Sequence, residues 1–191
     1  RFLSTIEGVT FVVEPTVIDR VAFIPHCRTQ AELDAACTII PHSPPMVCLH
    51  NTFSGAIGEN NSRLNGLGAA PIAAKRPQRC YSGDVHRPQV SPPVTYIGSP
   101  YPVRFGDDYV ARVLLIKNGH EQNLFYPAPR KWAITIRDAD DILRNGELKA
   151  GDQVKLSLEM AREEVVEWNA HKQRVLAACK ERGLEVYGCE L

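Results

Sequence analysis

The chain has 191 residues with 22 basic and 22 acidic side chains, so its formal net charge is zero and no whole-chain basic footprint marks it for nucleic acid. Its 44% hydrophobic content is that of an ordinary globular protein with a core of its own, which excludes a disordered chain. The longest apolar runs, Phe-Val-Val ending at Val13 and Val113 to Ile116, are too short to cross a bilayer, and no basic-then-apolar leader opens the sequence; a cytoplasmic protein with no membrane partner is expected.

Val9–Val13 and Val21–Ile24 are short β-branched or aromatic runs bounded by Gly8, Pro15 and Pro25, the pattern of buried strands. A short helix is expected over Gln30–Cys37 and an apolar strand over Met46–Leu49, which runs into His50. Asn51 to Pro71 is rich in Asn, Gly and Ser without a sustained period and reads as a long loop, a feature that compact domains tend to use. Strands are expected again over Arg79–Ser82, Val94–Ile97 and Ala111–Lys117. Asn118–Lys131 has two prolines and little apolar content, and is the best linker candidate. Beyond it the pattern changes to a strand over Trp132–Ile136, a helix over Ala139–Arg144, a period-two strand over Gln153–Leu158, a long helix over Ala161–Arg182 stopped by Gly183, and a last strand over Glu185–Tyr187. The expected organisation is therefore α/β of the α+β kind: a sheet-dominated part over residues 1–117, a linker over 118–131 and a small α+β domain over 132–191.

The six cysteines, Cys27, Cys37, Cys48, Cys80, Cys179 and Cys189, include no C-x-x-C pair. They read as reduced, mostly buried thiols, not as a zinc knuckle or a disulfide scaffold. His26 and Cys27 are neighbours, but adjacent residues on a strand point to opposite faces, so a Cys-His nucleophile is disfavoured.

Arg79 to Gln89, "RCYSGDVHRPQ", is the stretch that carries chemistry. On an extended segment a period-two spacing sends Asp84 and His86 to one side, where both can approach one ion or one phosphate. The plainer alternative makes Asp84 an Asx-turn residue after Gly83 and His86 a surface histidine before Pro88. His50, after "MVCL", ends another expected strand, and strand ends of an α/β sheet converge at one edge.

"LHNTFSGA" at Leu49–Ala56, "GDVHRPQ" at Gly83–Gln89 and "YIGSPYPVRFGDD" at Tyr96–Asp108 resemble the second half of the calcineurin-like metallophosphoesterase fold, and within it the SbcD-type DNA-repair exonucleases and their phage recombination-endonuclease relatives. "VAFIPHC" at Val21–Cys27 is similar to the segment between that family's Gly-Asn-His motif and its later histidines. The resemblance implies a β-sandwich flanked by helices and followed by a small capping domain. It implies two divalent ions, Mn²⁺ or Mg²⁺, with His50, Asp84 and His86 among their ligands. Asp84 departs from the family's Gly-His-x-His, exchanging a nitrogen for a hard oxygen. The family's Asp-x-His, bridging Asp and Gly-Asn-His, which supplies the general acid, would lie upstream of Arg1, so no catalytic acid is expected within this chain and the chain alone is expected to be inactive.

The same resemblance implies DNA as substrate, a coiled-coil ATPase of the SbcC kind as partner, a homodimer as a further association, and a bacterial or phage-infected cytoplasm. Arg87, Arg104 and Lys75 are candidates to hold a phosphate backbone and Tyr101 to stack on a base, against the plainer reading of solvated charges and a ring covering a sheet edge. Two alternatives stand beside this one: a phosphoesterase of the same fold acting on nucleotides or phosphoproteins, and a non-catalytic module that binds DNA or the ATPase.

Overall fold

Short apolar strands flanked by turn residues pair best when each turn fits the twist of the strands it joins, and two such turns organise this chain. The computed structural model describes residues 7–58, 61–107, 109–125 and 127–191. Arg1, Asp108 of the Tyr96–Asp108 run and Tyr126 of the expected linker lie outside them. The protein is a mixed α/β structure with three sheets among the described residues. It divides into two compact units, one formed by the chain through Ser99 together with Arg112–Leu124, the other by Pro100–Ala111 with Phe125–Leu191.

In the first unit, β1 (Thr16–Ile18) and β2 (Val21–Ile24) form a hairpin with Ile18 opposite Val21. Its two-residue loop, Asp19-Arg20, has φ of 46° and 67°, the doubly left-handed loop that matches strand twist. That hairpin fills the edge position, so the strand expected over Val9–Val13 does not form; Val9, Phe11 and Val13 are 47%, 45% and 69% exposed. The chain then crosses through α1 (Gln30–Thr38) to β3 (Met46–Leu49), parallel to β2. Thr29 caps α1 by accepting from the Glu32 amide at 3.2 Å, and the Glu32 carboxylate reaches back to the Arg28 amide at 2.6 Å, a variant of the capping box. Leu33, Ala36 and Cys37, at helical spacing, bury the face of α1 that joins the core containing Ala22, Val47 and Ile72.

After the long loop and α2 (Ala70–Ala74), β4 (Cys80–Ser82) adds in parallel, followed by β5 (Gln89–Ser91) and β6 (Val94–Tyr96), giving the order β1-β2-β3-β4-β6-β5. The four inner strands are parallel and the two edges antiparallel. β5, which composition does not single out, is the edge strand, with Val90 71% exposed. β7 (Val113–Lys117) and β8 (His120–Leu124) form a separate hairpin around Asn118-Gly119, with φ of 51° and 76°. Part of the segment read as a linker is therefore a strand. Asn-Gly between two extended runs is the strongest short-range hairpin signal, and the expectation of a linker passed over it. Arg79 bonds the Gly119 carbonyl, and Tyr81 donates to Glu121 at 2.5 Å, fastening the hairpin to β4.

The second unit is built around β9 (Lys131–Ile136), α3 (Ala139–Arg144), β10 (Gln153–Leu158), α4 (Trp168–Glu181) and β11 (Glu185–Glu190), with all three strands parallel in the order β11-β10-β9. Alternation along β10 buries Val154, Leu156 and Leu158 in a core shared with Ile142, Val175 and Cys179, each large aliphatic contributing about 1.5–3 kcal/mol. The long helix starts later than expected. Glu164–Glu167 is a 3₁₀ turn with Val166 91% exposed, because the buried stripe begins only at Val175 and nothing rewards extending the α-helix towards Ala161. Trp168 is half-buried against that core, with the Lys172 ammonium 5.4 Å from its ring centroid. Arg182 closes the unit by donating to the carbonyls of Ile142, Leu143, Asn145 and Leu148, the orphan acceptors at and beyond the end of α3.

Asp152, 4% exposed, accepts from the amides of Arg130 and Lys149 and from Trp132 Nε1 at 2.9–3.0 Å, joining β9 to the turn before β10. Asp152→Ala removes the shared acceptor of three part-buried donors and is expected to cost on the order of 2 kcal/mol, whereas Asp152→Asn keeps an acceptor and loses less. Urea unfolding followed at Trp132 and Trp168 checks the difference.

Candidate metal centre at the carboxyl edge of the sheet

Parallel strands deliver the residues that follow them to one edge, and β2, β3 and β4 deliver His26, His50 and Asp84. Asn51, 1% exposed, ties the first two exits together: its Oδ1 accepts from the Cys27 amide at 3.2 Å and its Nδ2 donates to the Cys27 carbonyl at 2.7 Å. Ser82 ties the third, accepting from the Asn51 amide at 2.9 Å and donating to the Asn51 carbonyl at 2.7 Å. The His50 carbonyl accepts from His26 Nδ1 at 2.8 Å. Asn51 Nδ2 also lies 3.4 Å from that nitrogen, but the shorter contact to a carbonyl sets the tautomer, with Nδ1 protonated.

His50 and Asp84 come together. Nε2 of His50 lies 4.0 Å from Oδ1 of Asp84, with the two side chains 64% and 37% exposed. Oδ2 of Asp84 accepts from Thr52 Oγ1 at 2.7 Å, so hydrogen bonding turns the other oxygen towards His50. Two donors bound to one ion at about 2.0–2.2 Å each stand about 3.0–3.5 Å apart at tetrahedral or neighbouring octahedral positions, so this nitrogen–oxygen pair, at 4.0 Å, would have to close slightly to share a divalent ion. One neutral imidazole and one carboxylate suit Mn²⁺, Mg²⁺ or Zn²⁺. Among the described residues, no three His, Cys, Asp or Glu side chains gather as a metal-holding group.

The backbone around Asp84 differs from the extended segment that the period-two argument assumed. Asp84 has φ of 71°, in the left-handed region that Asp tolerates and β-branched residues avoid. The turn buries Val85 and leaves His86 half-buried, with its carbonyl accepting from the Ser99 amide at 2.9 Å. Alternation along a strand therefore does not bring Asp84 and His86 to one side.

Arg87 is half-buried near this edge and bonds Asn61 Oδ1 of the long loop. Lys75 stands at the other end of the sheet: its carbonyl accepts from Ser43, and the chain around it enters β3 and β4 at their amino ends. Tyr101, 54% exposed, and Arg104, whose amide donates to Asp107 at 2.8 Å, belong to the second unit. The residues that sequence reasoning missed are Asn51, Thr52, Ser82 and the ring of His26. Thr52 had a signal in its place two residues after His50; Asn51 and Ser82 had none, because a staple between strands is a property of pairing.

Phe53 and Ile57 of the long loop are held by the same sheet. Tyr96, fully buried, accepts from the Phe53 amide through its hydroxyl at 2.7 Å. Gln89 bonds both the amide and the carbonyl of Ile57 at 2.7 Å. No protein-family model matches the chain, and no curated protein matches it.

All six cysteines are free thiols. Burial pushes Cys27 up from its ordinary value, with the Glu32 carboxylate adding to the shift, which leaves it a poor nucleophile beside His26. Burial raises Cys37 to about 11 and Cys80 to about 12, and burial followed by the Glu121 hydrogen bond raises Tyr81 to about 12. Each group holds its proton more tightly folded than unfolded, so the stability it contributes is complete below its ordinary value and is lost as pH rises towards the folded one. Urea midpoints are expected to be level through neutral pH up to about 9 and to fall between pH 9 and 12; Tyr81→Phe should shallow that fall above pH 10.

Proposed function

We propose that this chain is part of a metal-dependent phosphodiesterase that acts on DNA, its first unit being the second half of a calcineurin-like phosphoesterase domain and its second unit the cap. The observation that carries this reading is the His50–Asp84 pair: a nitrogen and an oxygen donor 4.0 Å apart at the carboxyl ends of neighbouring parallel strands, the carboxylate oriented by Thr52. The motifs around Leu49, Gly83 and Tyr96 supply the family, and DNA and a coiled-coil ATPase partner come from the same resemblance. When bound, divalent ions would polarise the phosphodiester and supply hydroxide near neutral pH. The part of this chain's own residues is to hold one ion through His50 and Asp84, with Thr52 keeping the carboxylate turned. In this reading His86 and the remaining ligands complete the centre only in the full assembly.

A second reading has a specific observation behind it. The left-handed backbone of Asp84 and its bond from Thr52 are also what a turn residue would show. Asparagine separates the two, since it adopts the same backbone angles and keeps a side-chain acceptor but binds hard cations weakly. Mn²⁺ binding to the purified chain, followed by electron paramagnetic resonance, is expected to weaken at least about tenfold in His50→Ala, Asp84→Ala and Asp84→Asn alike. Wild-type affinity in Asp84→Asn assigns Asp84 to the turn and overturns the metal reading. With no three His, Cys, Asp or Glu side chains gathered as a metal-holding group among the described residues, the chain by itself is expected to leave linear duplex DNA uncut in Mn²⁺; chelator-sensitive cleavage would place the reactive residues elsewhere.

A further inference from the structure

Gly83 separates Ser82, which clamps Asn51, from Asp84, which faces His50, and it has no positive φ that would call for glycine. Its amide donates to the Leu49 carbonyl at 3.1 Å, which brings the exit of β4 directly against that of β3. A Cβ added at Gly83 would meet the His50 ring and nothing nearer: it would come within 2.8 Å of Cε1 and closer still to Nδ1, with Cγ third. The Nδ1 edge of the imidazole therefore rests against the bare backbone of residue 83, and Nε2, on the opposite edge, is the nitrogen that faces Asp84. The main chain of His50 has no room to give, since its carbonyl is bonded to His26 and the next residue is stapled on both sides.

We propose that Gly83 is a positioning residue: the side chain it lacks is what lets the His50 imidazole seat against the β4 exit with Nε2 aimed at Asp84. Any larger residue there turns the ring out to solvent, where its exposed side already lies, and separates the two donors without disturbing the sheet. The purpose of that aim rests on the metal reading above; the seat itself does not. Glycine at this position is thus selected by a ring and not by a backbone angle.

Nuclear magnetic resonance of the purified chain tests both parts. In the wild type, nuclear Overhauser contacts are expected between the Gly83 Hα protons and the His50 Hε1 proton. Added Mn²⁺ is expected to broaden the His50 ring protons together with Thr52 and Asp84. Gly83→Ala should lose the ring contact and weaken Mn²⁺ binding at least about tenfold, as His50→Ala does, so that at Mn²⁺ levels raised until Thr52 and Asp84 broaden again the His50 ring protons stay sharp, with the amide spectrum elsewhere preserved. If Mn²⁺ broadens none of these residues in the wild type, the metal reading fails; the seat then stands or falls on the ring contact alone, and its absence in the wild type overturns it. Should Gly83→Ala lower stability, a cycle with His50→Ala decides the cause. In the His50→Ala background the glycine substitution is expected to be neutral or slightly stabilising, because alanine narrows the unfolded ensemble and no ring remains to clash. An equal loss in both backgrounds, or full His50 broadening in Gly83→Ala, overturns the proposal.

Discussion

The carboxyl edge of the six-stranded sheet depends on one buried amide. Asn51 makes both of its strong side-chain bonds to the backbone of Cys27, while its own backbone is bonded twice by Ser82. Three strand exits are thereby fixed against one another at a place where the regular ladder has already ended. An amide that is 1% exposed must have partners or carry a large desolvation cost, so the arrangement is self-enforcing: displacing any of the three exits strands a polar group in the core. His50 is the residue just before this staple, and its position is a consequence of it.

The same economy governs the loop that follows. Between Asn51 and Pro71 the sequence has few apolar residues, yet Phe53 and Ala56 are buried, and the loop backbone is bonded by the Tyr96 hydroxyl and the Gln89 amide from the far strands of the sheet. Isolated bridges pair Phe53 with Leu67 and Ile57 with Arg63. Phe53 and Ile57, in a segment without periodicity, are in this way held by side chains contributed from 43 and 32 residues away. Thr52, at its start, can then direct the carboxylate of Asp84. In the second unit Asp152 has the corresponding role, a buried carboxylate whose three donors come from β9, from Arg130 just before it and from the turn that leads into β10.

The thiols and the tyrosine buried in the first unit show a further side of the same core. Burial raises Cys37, Cys80 and Tyr81 above their ordinary values, with the Glu121 hydrogen bond adding at Tyr81, so they contribute packing and no chemistry at neutral pH. His50 and Asp84 stand at the rim instead, with side chains 64% and 37% exposed.

Much of this was legible in the chain. Apolar runs gave β2 and β3 with their observed bounds and alternation gave β10, because these patterns reflect burial that each segment achieves in a single direction, and the short helix expected over Gln30–Cys37 is α1 to within a residue. His50 at the end of one strand and Asp84 after another were readable as convergent, since strand order in an α/β sheet brings such ends together. The sequence could not decide the pairing of edges. Val9–Val13 is as β-prone as Thr16–Ile18, and only the Asp19-Arg20 turn settles which of them β2 accepts. Nor could it decide the backbone at Asp84: an extended strand and a left-handed turn both fit Gly-Asp-Val-His, and the folded chain has the turn, with the Asp84 carboxylate bonded by Thr52 from 32 positions away. The staple at Asn51 and the seat at Gly83 belong wholly to the tertiary structure, because each exists only where two or three strands that are distant in sequence end side by side.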